Sequence, residues 1–272
     1  MSTPTIAFIG AGNMATSIVG GLIDAGQPAA SIRAADPFPD SLERLQQVAP
    51  IVACKDNNLA ATGADVIILA VKPQVMANVC QGIAASLTPG ALVISIAAGI
   101  TIDSMASWLG SETAIVRCMP NTPALLGCGA TGLFANAQVS AKQQGQAEQV
   151  LSAVGILNWV PREKDLDAVT ALSGSGPAYF FLFMEAMIDA AIAQGLDRET
   201  ATRLAQQTGL GAARMALESD VDLVELRRRV TSPGGTTQAA VESFEAAGLR
   251  NVVSQAMQAA ADRADEMARE MG

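Results

Sequence analysis

Up to Pro161, short apolar runs alternate along the chain with stretches of helical spacing. Residues 5–10 (TIAFIG) and 31–36 (SIRAAD) read as the first two strands. Residues 64–71 (ADVIILAV) and 91–97 (ALVISIA) are apolar without alternation, the mark of strands buried on both faces. Residues 114–118, 130–135 and 156–160 extend the sheet. The segment from Asn13 onward reads as a helix stopped by Gly26. Strand and helix in alternation are the βαβ pattern of a parallel sheet.

Beyond Pro161 the strand-like runs vanish. Phe180, Phe183, Met184, Met187, Ile188, Ala191 and Ile192 recur at helical spacing, and Tyr179, Phe181 and Leu182 add apolar surface opposite them. A helix apolar nearly all round is buried on all sides, within its own domain or against another chain. Gly195 ends it and Asp197 caps the next helix. A third helix ends near Val230, a fourth opens at Thr236 or Thr237 and closes at Gly248, and an amphipathic helix completes the chain. The expected fold is α/β: a Rossmann-like domain over residues 1–163 and an all-helical domain over 164–272.

Composition narrows the chemistry. With 272 residues there is ample material for a core. A net charge of −9 argues against a nucleic-acid partner, and Arg227–Arg229 reads as a solvated helix face. The four cysteines form no CxxC pair and there is no histidine, so no metal is expected. Reduced, mostly buried thiols suit a cytoplasmic protein. No uninterrupted apolar segment reads as long enough to span a bilayer, and the first ten residues lack a secretory signal's basic region, so no membrane is expected. Without histidine, proton transfer falls to another group, to water, or to a substrate that arrives protonated.

Gly10, Gly12 and Ala15 stand in GxGxxA spacing directly after a strand and at the opening of a helix. Gly10 allows the tight turn, Gly12 lets backbone approach a pyrophosphate, and Ala15 lets helix and strand pack closely. Asp36, at the end of the second strand, would accept hydrogen bonds from adenine-ribose hydroxyls or serve as a cap or turn residue before Pro37. Its charge opposes a 2′-phosphate and leans to NADH over NADPH, with Arg33 near enough to favour NADPH in part.

Two later stretches share one grammar. Residues 173–178 (SGSGPA) and 231–237 (TSPGGTT) each place glycines and a proline before an apolar helix. Freed backbone N–H groups at a helix entrance bind a phosphate or carboxylate. Two such entrances beside a nucleotide domain point to a shared pocket for an anionic small molecule.

The stretches FIGAGNMA (8–15), AVKP (70–73), SIAAGIT (95–101), RCMPNTPA (117–124), SGSGPAY (173–179) and VTSPGGTTQAAVE (230–242) together resemble the pyrroline-5-carboxylate reductases over nearly the whole chain. The resemblance implies reduction of a cyclic imine, Δ1-pyrroline-5-carboxylate, to L-proline by hydride from NADPH or NADH, the last step of proline synthesis. It implies a helical dimerisation domain interlocked between two chains, a homodimer at least, with the substrate site at the dimer interface. By the same resemblance Ser232, Gly234, Gly235, Thr236 and Thr237 hold the substrate carboxylate, with the Thr237 hydroxyl at the ring nitrogen. Ser175, Gly176, Pro177 and Ala178 form another wall. The cofactor lies against Ile9, Gly10, Ala11, Gly12, Asn13, Met14, Ala15 and Asp36, with Asn57 near the adenosine end. Ala70, Val71, Lys72 and Pro73, and Ala97, Ala98 and Gly99, run along it, and Asn121 stands near the nicotinamide.

Asp36 stands where many members carry a residue friendlier to the 2′-phosphate. A 3-hydroxyacid dehydrogenase would need a polarising lysine in the helical domain, where only Lys164 at the boundary is available. A non-catalytic dinucleotide sensor would have no use for two anion entrances.

Overall fold

A computed structural model describes residues 3–271; residues 1, 2 and 272, the outer ends of the two expected domains, lie outside it. The strands are β1 (Ile6–Ile9), β2 (Ile32–Ala35), β3 (Val52–Ala53), β4 (Val66–Leu69), β5 (Leu92–Ser95), β6 (Ala114–Met119), β7 (Gly129–Ala135) and β8 (Gly155–Trp159). They form one sheet in the order β3-β2-β1-β4-β5-β6-β7-β8. Between them lie α1 (Asn13–Asp24), α2 (Pro39–Val48), α3 (Asn57–Ala61), α4 (Met76–Ile83), α5 (Ile102–Leu109) and α6 (Ala141–Leu151).

The unalternating apolar runs are explained by β1. Ile6 and Phe8 pack into the core on one face with Ile18, Val19 and Leu22. Ala7 and Ile9 pack into the core on the other with Ile67, Leu69 and Met76. Helices cover both faces, so each position gains from burial, about 1.5–3 kcal/mol for a large side chain. The sheet is not wholly parallel: β6 and β7 run antiparallel, Cys118 opposite Leu133. Their connection holds only a short 3-10 turn, Thr122–Leu126, too little for the helical crossover that parallel neighbours need.

The chain divides into two compact units, one of Met1–Ser175 with Ala259–Gly272 and one of Gly176–Gln258. This division falls later than the sequence-expected boundary at residues 163–164. The physical reason is α7 (Asp165–Val169), whose Leu166 is buried and whose Val169 lies so close to β7 that a Cβ on Gly132 would meet its Cγ1 at 2.7 Å. Within this unit, Lys164 pairs with Asp265 at 2.9 Å.

The second unit contains α8 (Gly176–Ala193), α9 (Arg198–Glu218), α10 (Leu223–Arg229), α11 (Thr236–Ala246) and the first part of α12 (Leu249–Met271). Asp197 caps α9 by accepting from Thr200 N. Phe183 and Phe244 meet with ring centroids 6.0 Å apart. Along α8, Phe180 is 72% and Phe181 64% exposed in the single chain. Its apolar surface is therefore not consumed within its own unit.

A turn of π-helix, Thr170–Gly174, joins α7 to α8. Among the described residues, the helical stretch Asp165–Ala193 is by length and composition long and apolar enough to cross a membrane. Asp165, Asp167, Glu185 and Asp189 interrupt it, so it is not an uninterrupted apolar segment. The sequence reading broke the stretch at its Ser-Gly pairs, where the helical path in fact continues.

Candidate dinucleotide and anion sites

In the first unit, β1 lies between β2 and β4, so the strand order reverses there, and the carboxyl ends of these strands open onto the crevice where open α/β sheets bind ligands. Gly10 adopts φ +101°, and a Cβ there would stand 2.6 Å from the Ala70 carbonyl oxygen. Its N–H donates to Ala35 O at 2.8 Å. Only glycine fits that turn. Gly12 differs: its backbone is extended (φ −75°, ψ −177°), it caps α1 with no side chain, and nothing lies within 4 Å of where a Cβ would be. The first turn of α1, with Asn13 and Met14, thus presents amides that no capping side chain takes, and buried Ala15 seats the helix on the sheet. The cradle fits a pyrophosphate.

Asp36 ties this turn down. Its Oδ2 accepts from Ala11 N at 2.8 Å and its Oδ1 from Phe38 N at 2.9 Å. Arg33 donates to Thr62 O at 2.7 Å. The loops after β4 and β5 lie alongside: Ala70 N donates to Ile9 O at 2.8 Å and Ile96 N to Leu69 O at 3.2 Å. Thus Ile9 and Ala11, Ala70, Val71, exposed Lys72 and Pro73, and Ala97, Ala98 and Gly99 come together along one edge. Asn57 opens α3, half-buried, behind its cap Asp56.

Asn121 follows β6 and is buried. Its Nδ2 donates to Ser173 O at 3.0 Å and its Oδ1 accepts from Ala130 N at 2.9 Å. The side chain is engaged by backbone at both ends.

The two glycine-proline stretches part company. Residues 173–176 are not an open helix entrance, as the sequence suggests, because Ser175 N donates to Thr170 O at 2.8 Å and the π-turn carries the helix through. Gly176, Pro177 and Ala178 lie in the first turn of α8. The second stretch is an entrance. Gly234 adopts φ +71°, Gly235 caps α11 without a side chain, and Thr236 and Thr237 form its exposed first turn. The loop is braced from within: Gly235 N donates to Ser232 O at 3.0 Å and Gly234 N to Gln238 Oε1 at 2.6 Å. The helix opens at Thr236, one of the two expected positions, and its cap is a glycine, which leaves the amides of Thr236 and Thr237 uncapped. The hydroxyl of Tyr179, on α8, is buried without a hydrogen-bond partner.

Sequence reasoning passed over Arg117 and Glu163. Arg117 lies in strand β6 with its side chain 9% exposed, and its Nη1 meets Glu163 Oε1 at 2.8 Å. An arginine inside an apolar strand run was the available signal, since a buried charge needs a partner. Nearby Asp167 has its carboxyl pushed up, first by burial. Burial also pushes the Cys80 thiol up to about 12 and raises that of Cys118, so both stay protonated.

Strand order, glycine turn and bare helix start together define a Rossmann-type dinucleotide-binding protein. Residues 5–99 match the family model for NADP oxidoreductase coenzyme F420-dependent, and residues 163–267 match that for pyrroline-5-carboxylate reductase dimerisation. The chain is 57% identical over 272 residues, the whole of both chains, to the pyrroline-5-carboxylate reductase of Pseudomonas aeruginosa. A solved pyrroline-5-carboxylate reductase from Coxiella burnetii has TM-score 0.94 at 46% identity, over 98% of this chain and 99% of that one. The Plasmodium falciparum pyrroline carboxylate reductase, solved with NADP bound, has TM-score 0.87 at 31% identity, over 98% and 99%. The chain belongs to the pyrroline-5-carboxylate reductase family.

Proposed function

We infer that the chain is a homodimeric reductase that converts Δ1-pyrroline-5-carboxylate to L-proline with hydride from NAD(P)H. The observation that carries this reading is the uncapped start of α11, whose free amides suit an anion such as a carboxylate, in a chain that also carries the Rossmann glycine turn.

When bound, the nicotinamide supplies hydride to the imine carbon. The chain's own residues bind and orient. Amides of the first turn of α1, from Asn13 to Ala15, face the pyrophosphate, with Gly10 shaping the turn and Gly12 leaving it open. The segments 70–73 and 97–99 flank the dinucleotide, Asn57 meets its adenosine end and Asn121 braces the nicotinamide end through backbone. Ser232, Gly234, Gly235, Thr236 and Thr237 hold the substrate carboxylate, and Ser175, Gly176, Pro177 and Ala178 form a wall. The Thr237 hydroxyl steadies the proton at the ring nitrogen. An imine is basic enough to arrive or become protonated, so alignment rather than a strong acid does most of the work, in keeping with a chain without histidine. The exposed apolar surface of α8 is covered by the second subunit.

Asp36 leans to NADH, because its carboxylate at the end of β2 opposes a 2′-phosphate and Arg33 is engaged with Thr62 O. The test is oxidation of NADH and NADPH side by side with Δ1-pyrroline-5-carboxylate. Turnover with a higher kcat/KM for NADH supports both statements. Binding of either dinucleotide without turnover would favour the sensor instead.

A further inference from the structure

We propose that Glu163 is a positioning residue for the dinucleotide, acting by clasping shut the base of the loop formed by residues 96–101. The inference rests on the reading that this loop flanks the cofactor.

The loop leaves β5 at Ser95 and enters α5 at Ile102. Its start is paired across the sheet, since Ser95 stands opposite Arg117 of β6. Its end is held by Glu163, whose Oε1 accepts from Ile102 N at 2.8 Å. The same oxygen accepts from Arg117 Nη1 at 2.8 Å. One carboxylate therefore ties the strand beside Ser95, the residue just before the loop, to the amide just past its last. Thr101 caps α5 with its own side chain by accepting from Ser104 N, so Glu163 takes a different amide of the same helix start. Both bonds are charge-assisted, and Arg117 is almost wholly removed from water, which makes the clasp short and directional.

The loop needs such a clasp. Gly99, near its tip, holds φ +74°, and a Cβ there would meet Met267 Cβ and Met271 Cε, both at 3.1 Å. Met267 and Met271 of α12 close the loop from outside while Glu163 closes it from below. Ala97 and Ile100 are buried, so any slackening at Ile102 moves the backbone facing the crevice. Ile96 N reaches Leu69 O at 3.2 Å, which places the loop against the β4 loop that starts at Ala70.

The test uses the full-length chain, and its deciding measurement, dinucleotide binding, needs no imine. Fluorescence titration gives the Kd for NADPH and for NADH in the wild type, E163A and E163Q, with folding checked by circular dichroism. Steady-state assays then give both KM values and kcat. E163A is expected to raise the dinucleotide Kd and KM at least tenfold and leave the KM for the imine within twofold. E163Q keeps an acceptor for Ile102 N but loses the charge facing Arg117; it is expected to regain most of the affinity, about threefold weaker than wild type. A merely structural role would lower the folded fraction or the melting temperature without this KM split or this rescue. A folded E163A with wild-type dinucleotide Kd overturns the proposal. Should E163A not fold, E163Q decides, and a wild-type Kd in that variant overturns it equally. A wild type that binds no dinucleotide overturns the cofactor reading together with this one, whereas binding indifferent to Glu163 overturns this one alone.

Discussion

The side-chain amide of Asn121 donates to the carbonyl oxygen of Ser173 at 3.0 Å. In a regular helix that carbonyl accepts from the N–H four residues on, which here belongs to Pro177 and does not exist. A residue from the β6–β7 connection replaces the missing donor at the π-turn. Asn121→Ala would leave the Ser173 carbonyl and the Ala130 N–H unpaired in a buried place. A loss of about 1–3 kcal/mol for each such group is expected, read as a lower urea midpoint. Asn121→Asp should lose at least as much, since an ionised carboxylate there would face the Ser173 carbonyl oxygen as a buried charge without a partner.

The two glycines of the first turn should fail in different ways. Gly10→Ala forces a Cβ to 2.6 Å from Ala70 O at a positive φ, and costs about 1–2 kcal/mol from the backbone alone. Gly12→Ala meets nothing within 4 Å and should cost less than about 1 kcal/mol. Its methyl instead stands where a pyrophosphate must approach. Thermal melts and dinucleotide titrations of the two variants should therefore rank them in opposite orders.

Thr237→Ala should lower kcat by about 10²-fold, the low end of what a positioned proton-handling group contributes, with dinucleotide Kd within twofold of wild type. An unchanged kcat would remove the hydroxyl from the mechanism and leave only the backbone of α11.

Acid should act first on the helical elements. Hydrogen bonds from Arg228 and Arg229 hold the Glu225 carboxyl at about 2, below its ordinary 4.5. Asp197 and Glu245 are likewise held low, by the Thr200 amide and by Arg250. A lowered folded value means that the unfolded chain binds more protons in that range, so stability rises with pH there. The Glu225 contribution is complete above 4.5 and lost as pH falls to about 2. Asp167 has the opposite sign, since its raised carboxyl contributes below 3.8 and loses that contribution as pH rises through its folded value. In far-UV circular dichroism, E225Q should be less stable than wild type at neutral pH and indistinguishable from it near pH 2. Added salt should shrink the difference, because these pairs are exposed.

What the sequence made legible was whatever depends on near neighbours. Continuous apolar runs located β1, β4 and β5 because strands buried on both faces leave no alternation to misread. The spacing around Gly10 located its turn. An apolar surface all round α8 announced a covering that one chain does not supply. The misreadings came from signals with two physical meanings. Glycine and proline before Tyr179 look like a helix start, yet they accompany a π-turn in a helix already under way, and only Asn121, remote in sequence, makes that turn satisfiable. The same ambiguity resolved the other way at Gly235. The Arg117–Glu163 pair spans 46 residues of sequence, so its existence could be suspected from an arginine among apolar neighbours but its partner could not be named.

The open flank of α8 also bears on how the protein comes into being. If the second subunit covers this flank, as proposed above, a newly made chain carries Phe180, Phe181, Leu182 and Phe183 to the water until a sister chain arrives. Completion of the native state is then a second-order event, faster and more favourable as the protein accumulates. Dilution lengthens the wait, and the waiting species is the one that proteases and aggregation find first. The melting temperature should accordingly rise with protein concentration, a property of the population that no single chain possesses.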